Sequence, residues 1–345
     1  MSKYLLLLGL LLVTLQAFFI PKTRQTLSGI PQNSYPIRGA YIDKLTVWYG
    51  MDVAKGFALP GYAPPHEYNY IIFAFWSCNS GPLDIALAWS KISGYLGEKN
   101  PFGSTDRDVQ LGMKKVYNQA GVKILVSAFG ATEFPTTGKE SAEACGTALG
   151  NFVIQNNLDG ADIDWEDNMA MEAGTGEKWL IDFTIALRKV IPDHIISHAP
   201  QAPYFKNEYY KNGGYITVHK EVGDLINFYN IQFYNQGDSK YNTYSELIEK
   251  ATGFFSGTSL MEIKKRGVDL KKLVITKPIL PNDATNTGYM SAQDLRAAVD
   301  KALDSYKWFG GICHWQYPSD TSGNTIKVAA GGLIDYCKAN PRKCR

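Results

Sequence analysis

The stretch Leu158-Asp159-Gly160-Ala161-Asp162-Ile163-Asp164-Trp165-Glu166-Asp167 decides how the chain is read. Its acids at 162, 164 and 166 alternate with Ala161, Ile163 and Trp165, and an extended strand sends successive side chains to opposite faces. The three carboxylates therefore share one face, with neighbours roughly 6 to 7 Å apart. Core packing gives no reason for such a row. Like charges this close raise one another's pKa and repel, a cost accepted where chemistry or a metal uses them. A calcium loop of the EF-hand type would need Gly at its sixth position and Glu at its twelfth, whereas Gly160 follows Asp159 at once.

Short apolar runs flank this stretch on both sides, and eight are legible when it is included: Gly39-Val47, Tyr70-Trp76, Val122-Ser127, Gly160-Trp165, His194-Ala199, Phe228-Tyr234, Leu273-Leu280 and Gly310-Trp315. Tyr70 to Trp76 is continuously apolar, as strands covered on both faces are, which also argues against a solvated acidic face at 162 to 166. Amphipathic segments lie between the runs: Asp106-Gln119, Ser141-Asn156, Glu177-Ile191, Ser291-Tyr306 and Thr325-Ala339. Strands alternating with helices imply right-handed βαβ units, and eight of them imply a closed α/β barrel of the (β/α)8 TIM type, a single domain over residues 37–345. The proline-rich 51–69 stretch admits no long helix and is expected to be irregular. No Gly-rich phosphate loop follows the first strand, which excludes a dinucleotide-binding doubly wound sheet.

The 345 residues carry 35 basic and 33 acidic side chains, a net +2 that favours neither nucleic acid nor an anionic membrane. A basic start and an apolar run from Tyr4 to Leu15 read as a secretory signal over residues 1–17, followed by a loose leader over 18–36. Five cysteines fit an oxidising compartment and leave one over; Cys337 and Cys344 are spaced to staple the C-terminal tail. The expectation is a secreted monomer that needs no cofactor or metal and stays off the membrane once its signal is removed.

In such a barrel the C-terminal ends of the strands face the mouth where active sites form. Glu166 then stands highest, Asp164 one layer down and Asp162 deepest. The deepest acid is expected to hold a proton and share it with Asp164, while Glu166, kept protonated by its neighbours and Trp165, serves as general acid.

Asp159-Gly160-Ala161-Asp162-Ile163-Asp164-Trp165-Glu166 resembles the D-G-x-D-x-D-W-E signature on the fourth strand of glycoside hydrolase family 18, the chitinase family. Ser127-Ala128-Phe129-Gly130 sits where that family has S-x-G-G. Gln232-Phe233-Tyr234-Asn235 and Ala199-Pro200-Gln201 resemble motifs of its plant and fungal single-domain branch, and Trp315 matches the Trp that floors the sugar site. The resemblance implies a chitinase of the EC 3.2.1.14 class that cuts β-1,4 bonds between N-acetylglucosamine units of chitin or chitooligosaccharides. The substrate's own 2-acetamido carbonyl acts as nucleophile, an exception to the two-carboxylate scheme. It makes Glu166 the acid/base, Asp164 the residue that orients the acetamido group with Asp162 in support, and Tyr234 the donor to the acetamido carbonyl.

Trp315 is expected as a stacking platform, with Asn235, Gln201, Gln232, Phe75 and Tyr41 as further substrate-binding residues. His198 and His314 are expected to be structural, and the aromatic loop from Tyr204 to Tyr210 to wall a groove or pack over the rim. Phe129 departs from the family pattern, placing a bulky side chain where the resemblance expects glycine. An endo-β-N-acetylglucosaminidase acting on N-glycans is an alternative, disfavoured because that branch commonly replaces the middle acid by Asn. A chitinase-like lectin is another, disfavoured because such proteins usually lose the terminal Glu.

Overall fold

The computed structural model describes residues 31–43, 67–96, 102–237 and 240–345. The expected signal segment, most of the leader and most of the irregular 51–69 stretch lie outside the described residues. Eight parallel strands form the barrel: β1 Ile37–Ile42, β2 Tyr70–Ser77, β3 Lys123–Gly130, β4 Gly160–Trp165, β5 Ile195–His198, β6 Phe228–Gln232, β7 Leu273–Pro278 and β8 Gly311–Trp315. Each pairs with its successor, and β1 pairs with β8 through Ile37 and Gly311, which closes the ring. Closure leaves no barrel strand with an open edge. A two-residue antiparallel arm, Gly81–Pro82, adds to the end of β2.

The helices start where the sequence offers caps. Thr105 accepts from the Asp108 amide at the head of Asp106–Gln119, Ser141 from the Ala144 amide at Ala142–Gln155, and Ser291 from the Asp294 amide at Ala292–Tyr306. Gly176–Val190, labelled α6 below, follows the short helix Asn168–Ala173. The last expected helix is broken at Ala330 into Thr325–Ala329 and Gly331–Ala339. Two helix-weakening glycines, Gly331 and Gly332, follow the break, and a Cβ on Gly331 would stand 2.2 Å from the Arg296 guanidinium.

Alternation along the strands sorts the apolar residues into two layers. Ile37, Tyr41, Tyr70, Ile72, Leu125, Phe228 and Cys313 fill the inside of the barrel. Ala161, Ile163 and Trp165 of β4 join the larger layer between strands and helices. The three acids are thereby sent to the inner, mouth-facing side. Cys337 pairs with Cys344 as the spacing suggests; Cys78 pairs with Cys145, and the buried Cys313 is the cysteine left over.

Candidate active site

The site is built on the strand register. Ser127 of β3 and Ser197 of β5 lie beside Asp162 in the adjoining strands, so all three point inward at one level. Both hydroxyls donate to the Asp162 carboxylate, at 2.8 and 2.6 Å. From across the barrel the Tyr41 hydroxyl donates at 2.9 Å and the Asn230 amide at 3.2 Å. Asp162 is fully buried; burial pushes its pKa up while these four donors pull it back.

One layer higher, Asp164 accepts from the Gln232 amide at 2.7 Å through Oδ1. Burial, then the charges of Glu166 and Asp162, hold its pKa well above the ordinary carboxylate range. Glu166 accepts from Gln201 at 2.7 Å through Oε2; burial raises its pKa against the pull of Gln201 and Gln232. All three carboxyl pKa values are raised, that of Asp162 included, as expected of the deepest acid; Asp164, which feels the charges of both neighbours, stands well above the ordinary range and is placed to share a proton with either. Trp165, expected to help keep Glu166 protonated, has its ring in the outer layer, 5.9 Å from that of Tyr204, with Nε1 donating to Thr136 at 3.2 Å.

Above the acids opens a cleft of about 290 Å³. Of the expected residues it brings together Asp164, Glu166, Tyr234, Trp315, Phe75, Asn235 and Gln232. Phe75 and Trp315 stack at 6.1 Å with 24° between their planes and form an aromatic floor. Tyr234 is buried, and desolvation together with Asp164 and Glu166 raises its pKa, which keeps the hydroxyl a donor. The larger depression, about 380 Å³, lies at the opposite end of the barrel beside Arg38 and the Cys337–Cys344 tail and contains none of the acids.

Of the expected substrate-binding residues, Tyr41 and Gln201 do not line the cleft, while Gln232 and Asn235 line it and also carry structural hydrogen bonds. Tyr41 does not line the cleft; it lies beneath the floor, with its hydroxyl spent on Asp162 and its ring 5.8 Å from that of Trp315. The Gln201 and Gln232 amide nitrogens are committed to Glu166 and Asp164, with Gln232 also donating to the Ala199 carbonyl at 2.9 Å, so both hold the acids in place. Asn235 lines the cleft, but its Oδ1 accepts from the Thr285 amide at 2.8 Å and so ties down the loop after β7.

Ser127, Ser197 and Asn230, which hold Asp162, and Asp43, Ala131, Thr132, Asp283 and Thr285, which complete the lining, are the residues sequence reasoning missed. The signal for the first three was a polar residue at an inward position of an otherwise apolar strand.

Phe129 proves harmless to the cleft. Its φ of 82° breaks the strand alternation and turns the ring outward against Trp179 and Phe183 of α6, at 5.6 and 5.4 Å. His198 meets Thr184 and Tyr215 and is held near pKa 3 by burial, while His314 meets Tyr68 and is held near 4, so both are structural. Of the aromatic loop, Tyr204 and Phe205 pack against Tyr215 over the rim, and Tyr209 remains exposed against Phe254. Among the described residues no group of three or more His, Cys, Asp or Glu side chains could hold a metal ion.

Comparison with known proteins follows the same lines. The profile of glycosyl hydrolases family 18 matches residues 41–328. A solved chitinase of that family from Pseudoalteromonas aurantia superposes with a TM-score of 0.62 at 27% identity, covering 86% of this chain and 99% of its own. A Cycas revoluta chitinase solved with allosamidin (TM-score 0.58, 12% identity, 86% and 99% covered) and a fungal endo-β-N-acetylglucosaminidase (0.55, 18%, 88% and 97%) share the fold. The secreted chitinase LysM12 of Penicillium expansum is 28% identical over 182 residues, which is 45% of this chain and only 12% of that protein.

Proposed function

The chain belongs to family 18 of the glycosyl hydrolases, and from that premise we propose that it is a secreted chitinase hydrolysing β-1,4 bonds between N-acetylglucosamine units with retention of configuration. The observation that carries this reading is the unequal supply of donors along β4: Asp162 has four, whereas Asp164 has its Oδ1 occupied by Gln232, leaving Oδ2 for a substrate N–H.

In the proposed reaction the protonated Glu166 donates to the glycosidic oxygen as the anomeric carbon–oxygen bond breaks. The acetamido carbonyl oxygen attacks the anomeric carbon from the other face and closes an oxazolinium ring. Asp164 accepts the acetamido N–H and offsets the positive charge; the Tyr234 hydroxyl donates to the carbonyl oxygen and aligns it. The sugar ring stacks on Trp315. Glu166, now a carboxylate, takes a proton from water as that water attacks the anomeric carbon and reopens the ring. Secretion is supported by the signal-like start and by two disulfides; among the described residues no helix is long and apolar enough to cross a membrane.

The test compares wild type with Glu166→Gln on a fluorogenic chitooligosaccharide and on a high-mannose glycopeptide. Wild type is expected to release product from the first, and the variant to lose ~10²- to 10⁴-fold in turnover, the range a general acid contributes. Release from the glycopeptide alone would make the protein an endo-β-N-acetylglucosaminidase, and release from neither with chitin still bound would make it a lectin.

A further inference from the structure

Lys277, the penultimate residue of β7, is fully buried. Its neighbour Thr276 lies level with Cys313 of the inner layer, so Lys277, level with His314, points to the outer layer where its own strand otherwise places aliphatic side chains. Its ammonium donates to three main-chain carbonyls: Phe233 at 2.8 Å, Tyr241 at 2.7 Å and Gly288 at 2.9 Å. An ammonium has three N–H bonds, and all three are spent on backbone dipoles rather than on a carboxylate.

A buried charge costs several kcal/mol to desolvate, a cost that the three carbonyls offset here. What an apolar side chain cannot do is draw three carbonyls from separate chain segments to one point. Two of those segments adjoin residues that line the cleft, Tyr234 beside Phe233 and Thr285 near Gly288. The Phe233 carbonyl belongs to the peptide that leads into Tyr234, and Tyr241 ends the excursion that follows β6. Gly288, with φ of 105°, lies so close that a Cβ there would stand 2.3 Å from the Tyr234 Cα. Asn235 fastens the same two segments through Thr285 and Thr287.

We propose that Lys277 is a positioning residue for Tyr234, clamping the backbone on both sides of it so that its hydroxyl is presented to the substrate's reacting group. The inference rests on the role of Tyr234 stated above, and its test separates the two. Lys277→Met keeps the length of the side chain and removes the donors. Because three carbonyls lose their donor, its unfolding midpoint should fall; at a temperature where the variant is fully folded, kcat on the fluorogenic chitooligosaccharide should be down at least about tenfold, since misplacement by ~1 Å costs up to ~10².

KM should change little, and Tyr234→Phe combined with Lys277→Met should be no slower than Tyr234→Phe alone. A kcat equal to wild type, or losses that multiply in the double variant, would overturn the proposal. A second readout needs no turnover. In protein labelled with 3-fluorotyrosine, the 19F resonance that vanishes in Tyr234→Phe should shift in Lys277→Met and in Lys277→Gln. An unmoved resonance overturns the clamp even if wild type proves inactive on sugar, which would sink only the functional reading. Should the Met variant not fold, Lys277→Gln, which keeps two of the three N–H bonds, carries the same comparisons.

Discussion

At the floor of the barrel Asp162 receives four donors from four different strands, while at the mouth Asp164 and Glu166 share two glutamine amides. Asp162 and Asp164 belong to one strand and lie two residues apart, and Glu166 follows just past its end. The floor is finished without a ligand: its carboxyl has its hydrogen bonds supplied by the protein itself. The mouth is left short of donors by the protein, and the deficit is what a substrate carrying an N–H and a basic oxygen would make good. A buried polar group with an unfilled place is costly in an empty site and specific in a filled one.

The largest effect that would break this contrast is on the mouth. Asp164→Asn should lower turnover by about 10²-fold or more, as loss of a charge-stabilising group does, with a much smaller change in binding. Equal losses in both would mean that Asp164 contributes uniform binding. The same variant reads the electrostatics through stability. Asp164's folded pKa is raised, so the folded chain binds the proton more tightly than the unfolded one; this group's contribution to stability is fully present below the unfolded carboxylate pKa and is lost as pH rises through the raised value. Asp164→Asn should be more stable than wild type at neutral pH, with the gain gone below about pH 4, the ordinary carboxylate range. A gain that persists unchanged into acid would refute the raised pKa.

A smaller effect tests the floor. Ser197→Ala removes the shortest of the four bonds to Asp162 and should cost about 1.5–3 kcal/mol, the worth of a hydrogen bond to a charged group, read from urea midpoints. Its turnover should suffer less than that of Asp164→Asn. The reverse order would show that the floor, and not the mouth, is the chemically delicate layer.

The barrel was legible because its strands are apolar runs of the right length and its helices carry cap residues at their heads, and both patterns depend on neighbours in sequence. The acid row was legible for the same reason, as an alternation within six residues. Tyr41, Gln201 and Gln232 were placed at the site without the partners that hold them, Asp162, Glu166 and Asp164. Whether an amide faces a sugar or a carboxylate is decided by the two strands beside it, and register between strands is not written in either one alone. Ser197 and Asn230 illustrate the same limit, unremarked until their level with Asp162 is known, and Ser127, noted only as part of a motif, gains its role in the same way. Lys277 was hidden more deeply, since its partners are carbonyls and carbonyls leave no trace in a sequence.

Phe129 carries a consequence for how such chains are recognised. Glycine at the corresponding place in the S-x-G-G pattern is read as the absence of a side chain, yet here a phenylalanine occupies it without entering the cleft, because its backbone takes a φ of 82° and the ring leaves by the other side. The requirement at that position is a torsion angle, and the letter G is only its commonest spelling.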